Sequence, residues 1–339
     1  MPDPLLLYYQ EPDPDRWLPG DRYPRRLIRR LVRGAPQPGG QQRVAINLLA
    51  GLDKLGMPYR FNDFRAARQS PDRPVGIIGK GHLLDEHRWR NPILFGASVM
   101  SHPSADPTLL ERHPSIRRVL VPGAWMQTMC APYWGDRVRA WPVGIDTDLW
   151  TPLPQAAPEF DVLVYDKIRW EHDRYSAELL QPILNHLERA GLKVAQIRYG
   201  YYREADFYSL VRRCRSMIFL CEHETQGIAY QQTLACNVPI LAWERRGYWQ
   251  DPEYYPHRVK FEPVSTVPYW DARCGSTFSG AESFGAAFDA FWPRVTAGQF
   301  SPRSYVLENL TLAHCARLYL REWADTFSIP LAKLLPTSP

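Results

Sequence analysis

The sequence lacks the features that would classify it at a glance. No apolar run approaches the roughly 20 residues that a helix needs to cross a bilayer. The opening MPDPLLLYYQEPDP has no basic segment ahead of an apolar one and turns acidic at once, so no secretory signal is expected. The six cysteines (Cys130, Cys214, Cys221, Cys236, Cys274 and Cys315) are scattered and form no CxxC pair, which argues against a zinc ribbon or a disulfide framework. Cys221 and Cys236 lie in apolar surroundings, as buried thiols of a reducing compartment do. No low-complexity segment and no repeat of solenoid period is present. Neither sign of charge dominates, with 41 basic against 36 acidic side chains and a net charge of +5.

What is present is globular. Apolar residues make up 45% and charged residues 23% of 339 positions, enough chain for two domains of ordinary size. Short apolar runs of strand length alternate with amphipathic stretches. LLLYY at 5–9 reads as a strand, and Val44, Leu48, Leu49, Leu52 and Leu55 then share one face of a helix. VGIIG, ILFGASV and RRVLVPG follow, then the helical AWMQTMCAPYWG. The rhythm restarts after the proline-rich TPLPQAAPEF with DVLVYD, the helix at 176–191, KVAQIRYG, the helix READFYSLVRRC, SMIFLC and VPILAW. Strands alternating with helices predict parallel sheets covered on both faces. The expected architecture is α/β: an N-terminal Rossmann-like domain over 1–152, a linker at 153–160, a second Rossmann-like domain over 161–325, and a tail at 326–339. A site is expected in the cleft between the two.

The charge is uneven. RYPRRLIRRLVRG carries arginine at 22, 25, 26, 29, 30 and 33. It reads either as a solvated helix face or as contact with an anionic partner, with an anionic membrane surface favoured over nucleic acid because no nucleic-acid module accompanies it.

Four segments carry candidate chemistry. In PQPGGQQRVAINLL, Gly39 and Gly40 precede a helix; glycines let a ligand approach the backbone, and the helix start offers unpaired N–H groups. The pair is neither GxGxxG nor a P-loop. RVRAWPVGIDTDLWTP ends the first half. In VLVYDKIRWEHDR, Lys167 and Arg169 directly follow a strand, with Arg174 beyond, where cations can hold a diphosphate. The fourth segment, EHETQGIAYQQ, sits between SMIFLC and VPILAW, so a polar loop interrupts two buried strands. Glu224, Ile228 and Gln232 fall on one line along the helix it opens, a carboxylate and an amide about two turns apart.

Taken in order, GGQQRVAINLLAGLDKLGMPY, VLVPGAWMQTMCAPYWGDRVRAWPVGIDTDLWTP and ETQGIAYQQTLACNVPILAW resemble the successive signatures of GT-B glycosyltransferases of the family 4 type. The resemblance runs along nearly the whole chain. It implies two Rossmann-like domains facing across a cleft, 1–152 binding the acceptor and 161–325 the nucleotide-sugar donor, C-terminal helices that cross back to the first domain, and retaining, metal-independent transfer of a sugar from a nucleotide-diphosphate donor. It implies a cytoplasmic protein with no cofactor and no metal, whose acceptor is a glycan, a lipid-linked or a small molecule. Glu224 then falls on the first glutamate of the E-x7-E motif and would contact the donor sugar. Gly227 falls on the glycine whose N–H lies near sugar and phosphates, and Gly39 and Gly40 on the glycine loop near the diphosphate. Lys167 takes the position of a phosphate-binding cation; the usual R-x4-K spacing is absent, and Arg169 or Arg174 would supply the second charge. His102, after an apolar run, is similar to the family's active-site histidine, with His82 in IIGKGH as a rival. Gln232 departs from the pattern, standing where a ribose-binding glutamate is usual, and Gln232→Glu is expected to raise nucleotide affinity. The DTD at 146–148 reads structurally. The competing readings are a non-catalytic nucleotide-sugar or glycan-binding protein on the same scaffold, and another GT-B enzyme such as an epimerase.

Overall fold

The computed structural model describes residues 3–12, 39–97, 101–153 and 158–334. The arginine cluster at 22–33, and with it the membrane-contact reading, lies outside the described residues. The chain divides into two compact units: Met1–Val121 with Cys130–Trp141 and Arg317–Pro339, and Pro122–Met129 with Pro142–Ala316.

The first unit is built on six parallel strands: β1 (Leu5–Tyr8), β2 (Tyr59–Phe61), β3 (Val75–Ile77), β4 (Ile93–Phe95), β5 (Ile116–Val121) and β6 (Val138–Ala140). Their spatial order is β2-β1-β3-β4-β5-β6. A parallel connection needs a crossover, and the helix Gly40–Lys54 supplies the first, burying Val44, Leu48 and Leu52 as its apolar stripe requires. The helix Leu312–Phe327 brings the chain's last segment back to this sheet. Tyr319 packs edge-on to Trp141 at 5.4 Å between ring centres, and Glu322 accepts from Arg118 on β5 at 2.5 Å. A side chain at Gly76 on β3 would overlap the Tyr319 hydroxyl and Leu7, so the absent Cβ is what lets the tyrosine sit down on the strand.

The second unit holds five parallel strands: β7 (Phe160–Asp166), β8 (Val194–Arg198), β9 (Cys214–Leu220), β10 (Ile240–Trp243) and β11 (Gly275–Phe278), in the order β11-β10-β9-β7-β8. Successive residues point to opposite faces. Leu163, Tyr165, Met217, Phe219, Ile240 and Ala242 therefore join one core, with Phe207, Tyr230 and Leu234 of the overlying helices. Val162, Val164, Ile218, Leu220, Leu241 and Trp243 join the other, with Ile183, Leu187, Phe284, Phe288 and Phe291. Met217 to Leu220 are each fully buried, worth about 1.5–3 kcal/mol per side chain. Burial on both faces explains why SMIFLC and VPILAW read as unbroken apolar runs.

Both sheets share one topological feature. The chain leaves the first strand (β1 or β7) for a neighbour on one side, then crosses to the other side for the third (β3 or β9). Ligands of open α/β sheets bind where the strand order reverses, outside the carboxyl ends. In the first unit that crevice lies between β1 and β3, and in the second between β7 and β9.

Candidate functional site

The β7/β9 crevice holds a cluster of charge. Lys167 is the first residue beyond β7, and its N–H donates to the Leu220 carbonyl at 2.8 Å. Glu224 follows β9 with its backbone fixed at both ends: its N–H donates to Ser265 O at 2.9 Å and its carbonyl accepts the Trp125 indole N–H at 2.7 Å. The Lys167 ammonium donates to the Glu224 carboxylate, with side chains only 13% and 9% exposed. It also lies 4.6 Å from the centre of the Tyr199 ring. Burial pulls the Lys167 pKa down, and the facing Glu224 carboxylate more than reverses this, leaving the lysine above its ordinary value and charged.

A second acid organises the loop after β7. Glu222 is fully buried, and one oxygen accepts the N–H groups of Arg169 and Trp170 at 2.7 and 2.8 Å. The Arg169 guanidinium donates to the His223 carbonyl at 3.1 Å and reaches the His223 ring Nε2 at 3.0 Å. His223 is caged by Trp170, Trp125 and Trp249, with ring centres 5.1, 5.5 and 6.5 Å away. The Trp249 indole N–H donates to Nε2 at 3.1 Å, which assigns the ring proton to Nδ1. Burial, reinforced by Arg169, Arg245 and Lys167, holds the His223 pKa well below its ordinary value, so the ring is neutral.

The remainder of EHETQGIAYQQ divides between scaffold and candidate site. Gln226 accepts the Val143 N–H at 3.0 Å and donates to Gln231 Oε1 at 3.1 Å, while Gln231 returns a bond to the Gln226 carbonyl at 2.6 Å. Both amides are buried, so their polarity is spent inside the fold. Gly227 precedes the helix Ile228–Ala235 with φ +79°, and a Cβ there would overlap the Tyr230 ring. Ile228 is half-buried at the start of that helix. Gln232 is buried, and its amide donates to Glu204 Oε1 at 3.4 Å.

A carboxylate thus does stand beside position 232, carried by Glu204 at the start of the helix Glu204–Val211. Gln232→Glu would face it with a like charge. The variant is expected to lose about 1 kcal/mol of stability in urea denaturation, recovered when Glu204→Gln is added. An undiminished single variant would show that Glu204 does not bear on this position.

Arg174 is held at the surface by Glu178 at 3.0 Å and Glu171 at 3.4 Å, both acids from its own stretch of chain. Gly39 and Gly40 lie in the first unit at the start of the helix Gly40–Lys54, and a Cβ at either meets nothing within 4 Å. Packing therefore does not require glycine at either. His102, also in the first unit, is buried and caps a short turn, its Nδ1 accepting the Ser104 N–H at 3.1 Å. His82 opens the helix His82–Glu86 of the same unit. Asp146 accepts the N–H groups of Asp148 and Leu149 at 3.1 and 3.2 Å, a turn cap. Among the described residues, no group of three or more His, Cys, Asp or Glu could hold a metal ion, and no helix is long and apolar enough to cross a membrane.

Sequence reading did not identify Glu222 as a loop tether, Glu204 as a partner of Gln232, or the tryptophan cage. Trp125, Trp170 and Trp249 are distant in sequence, and only the fold converges them on His223.

No family model matches the sequence, and no curated protein matches it. Solved structures share its fold. Sucrose-phosphate synthase from Thermosynechococcus elongatus aligns with a TM-score of 0.56 at 11% identity, covering 97% of this chain and 100% of its own. AviGT4, a glycosyltransferase involved in avilamycin A biosynthesis, aligns with a TM-score of 0.56 at 14% identity, covering 97% and 98%. At such identity the likeness is one of fold: two parallel α/β domains in the GT-B arrangement of elements.

Proposed function

We propose that the chain is a glycosyltransferase that moves a sugar from a nucleoside-diphosphate donor to a hydroxylated acceptor, with retention at the anomeric carbon and without a metal. The observation that carries this reading is the buried Lys167–Glu224 pair at the strand-order reversal of the second sheet, in a chain of GT-B fold. The names of the two fold relatives, a sucrose-phosphate synthase and a glycosyltransferase, agree with sugar transfer.

In this reading the pair is a lock that the donor opens. Without ligand, cation and acid neutralise each other. A diphosphate offers Lys167 more negative charge than one carboxylate does, and Arg169 lies on the same loop to share it. Released from its cation, Glu224 accepts hydrogen bonds from the sugar hydroxyls. As the bond from the sugar to the phosphate oxygen breaks, charge grows on the diphosphate, and the two fixed cations stabilise that growth. Gly227 presents its backbone to the same region, Ile228 lines the start of the helix, and Gln232 with Glu204 offers a mixed donor and acceptor pair to ribose hydroxyls. The assignment is to a cytoplasmic enzyme of glycan or glycoconjugate synthesis.

A thermal-shift screen over UDP, ADP, GDP, CDP and TDP tests the donor class. A ligand present at 100 times its dissociation constant adds about 2.7 kcal/mol to the native state, so at least one diphosphate is expected to raise Tm by several degrees. Lys167→Met should remove that rise. A flat response to every nucleotide would sink the reading. With the donor in hand, turnover that persists in EDTA and a product of unchanged anomeric configuration test the remaining two terms.

A further inference from the structure

In the second unit, residues 244–274 join β10 to β11 without a helix or strand. Connections longer than about 12–15 residues without regular structure are uncommon and usually functional. The part over 244–264 is an ordered lobe that closes on itself. The Trp249 N–H donates to the Phe261 carbonyl at 2.8 Å, and the Val264 N–H donates to the Gly247 carbonyl at 3.1 Å. Inside that closure the chain turns, with the N–H groups of Tyr254 and Tyr255 donating to the Asp251 carbonyl at 2.9 and 2.8 Å. Trp249, Tyr254, Val259 and Val264 are buried, and the rings of Trp249 and Tyr254 stack with centres 5.1 Å apart. The lobe thus has a small core of its own.

Two aromatic side chains lead from this lobe to the charged groups of the candidate site. The Trp249 indole N–H holds His223 Nε2 at 3.1 Å. The Arg169 guanidinium donates to the carbonyl of the same histidine at 3.1 Å and lies 3.0 Å from its Nε2. Glu222 accepts the Arg169 backbone N–H, but stands 3.7 Å from its Nε, beyond hydrogen-bond length. His223 is therefore the hydrogen-bonded support of the guanidinium, and Trp249 fixes its ring. Phe261 makes the second connection. It stacks on Trp125 with ring centres 6.2 Å apart and planes at 27°, and the Trp125 indole N–H donates to the Glu224 carbonyl at 2.7 Å. The Glu224 N–H is held at 2.9 Å by the carbonyl of Ser265, the residue that follows the lobe.

We propose that the 244–264 lobe is the positioning element of the donor site: Trp249 acting through His223 and Phe261 acting through Trp125 hold Arg169 and Glu224 where a nucleoside-diphosphate sugar meets them. The inference rests on the donor-site reading of Lys167, Arg169 and Glu224 given above. Arginine has many rotamers, and one that is fixed before the ligand arrives gives up little freedom on binding. Such preorganisation is read as affinity. The supports are buried, where each hydrogen bond is stronger than in water.

Calorimetric titration of the full chain with UDP, ADP, GDP, CDP and TDP, paired with hydrogen exchange read by mass spectrometry, tests this. Trp249→Phe keeps an aromatic ring and removes the N–H. It is expected to weaken the tightest of the five nucleotides fivefold or more. In an Arg169→Met background the same change should shift affinity less than twofold, because its route to the ligand is gone. His223→Gln keeps an acceptor and should stay within threefold of the parent, whereas His223→Leu should lose fivefold or more. Exchange is expected to be at least tenfold faster across 167–171 in Trp249→Phe and across 222–226 in Phe261→Leu, with β8 unchanged in both. A lobe that only stabilises the fold would speed exchange evenly through the unit or leave affinity untouched, and either result overturns the inference. So would equal losses from Trp249→Phe with and without Arg169, equal losses in the two His223 variants, or exchange that stays as in the parent. If the parent binds none of the five nucleotides, the donor reading fails, and the exchange pattern alone decides whether the lobe positions Arg169 and Glu224.

Discussion

Replacing Glu224 by alanine is expected to abolish sugar transfer and to lower the unfolding free energy by about 3 kcal/mol, because it strands the Lys167 ammonium in a buried site. Lys167→Met should cost a similar amount by stranding the carboxylate. The double variant Lys167→Met, Glu224→Leu removes both charges and fills the space with apolar atoms. It should regain most of the lost stability, since an apolar pair often substitutes for a buried ion pair at little cost, and it should remain inactive. Urea denaturation of the four proteins gives the coupling energy directly, and a transfer assay with the donor found by the nucleotide screen gives the activity. Additive losses would show that the two side chains are not coupled. Turnover by Glu224→Ala within tenfold of the parent would remove Glu224 from the chemistry.

Gly227→Ala is the second substitution with a large expected effect. The residue sits at φ +79°, where an alanine costs about 1 kcal/mol, and its Cβ would overlap the ring of the fully buried Tyr230. Overpacking of this kind adds about 1–3 kcal/mol. Tyr230 cannot retreat freely, because its hydroxyl accepts the Tyr269 N–H at 3.0 Å and donates to the Tyr269 carbonyl at 3.2 Å. The variant should lose about 2–4 kcal/mol and the nucleotide-induced rise in Tm together. Gly39→Ala is the contrasting control: with nothing within 4 Å of its Cβ, its stability should stay within about 0.5 kcal/mol of the parent. Equal stability of Gly227→Ala and the parent would mean that Tyr230 yields, and that the glycine answers to something other than packing.

The fold was legible because its signals are local. VGIIG, ILFGASV, DVLVYD, SMIFLC and VPILAW each became a parallel strand, and the stripe of Val44, Leu48 and Leu52 became a buried helix face. The strand β11 escaped notice. Its sequence GSTF has little apolar content, and it earns its place through Gly275, whose missing side chain allows close contact with the Ile240 carbonyl. The candidate site was legible only in part. Lys167 and Glu224 stood out because each follows a strand, and the structure joins them. Arg169 and Arg174 look equivalent in VLVYDKIRWEHDR, yet Arg169 turns to His223 and Glu222 while Arg174 pairs with surface acids. That choice depends on Glu222, more than 50 residues away, holding the loop by its N–H groups. No local pattern encodes it.

The helix that returns from Arg317 to the first sheet has a consequence for synthesis. A ribosome delivers β1 more than 300 residues before the segment that covers Gly76. Until Tyr319 emerges, the face of β3 beside Gly76 and Leu7 stays uncovered, whereas every residue of the second unit is already out by Ala316. Domains commonly fold in the order of synthesis, but here part of the first unit's packing follows the whole of the second in sequence. The first unit cannot complete the packing around Gly76 until residues beyond Ala316 have followed.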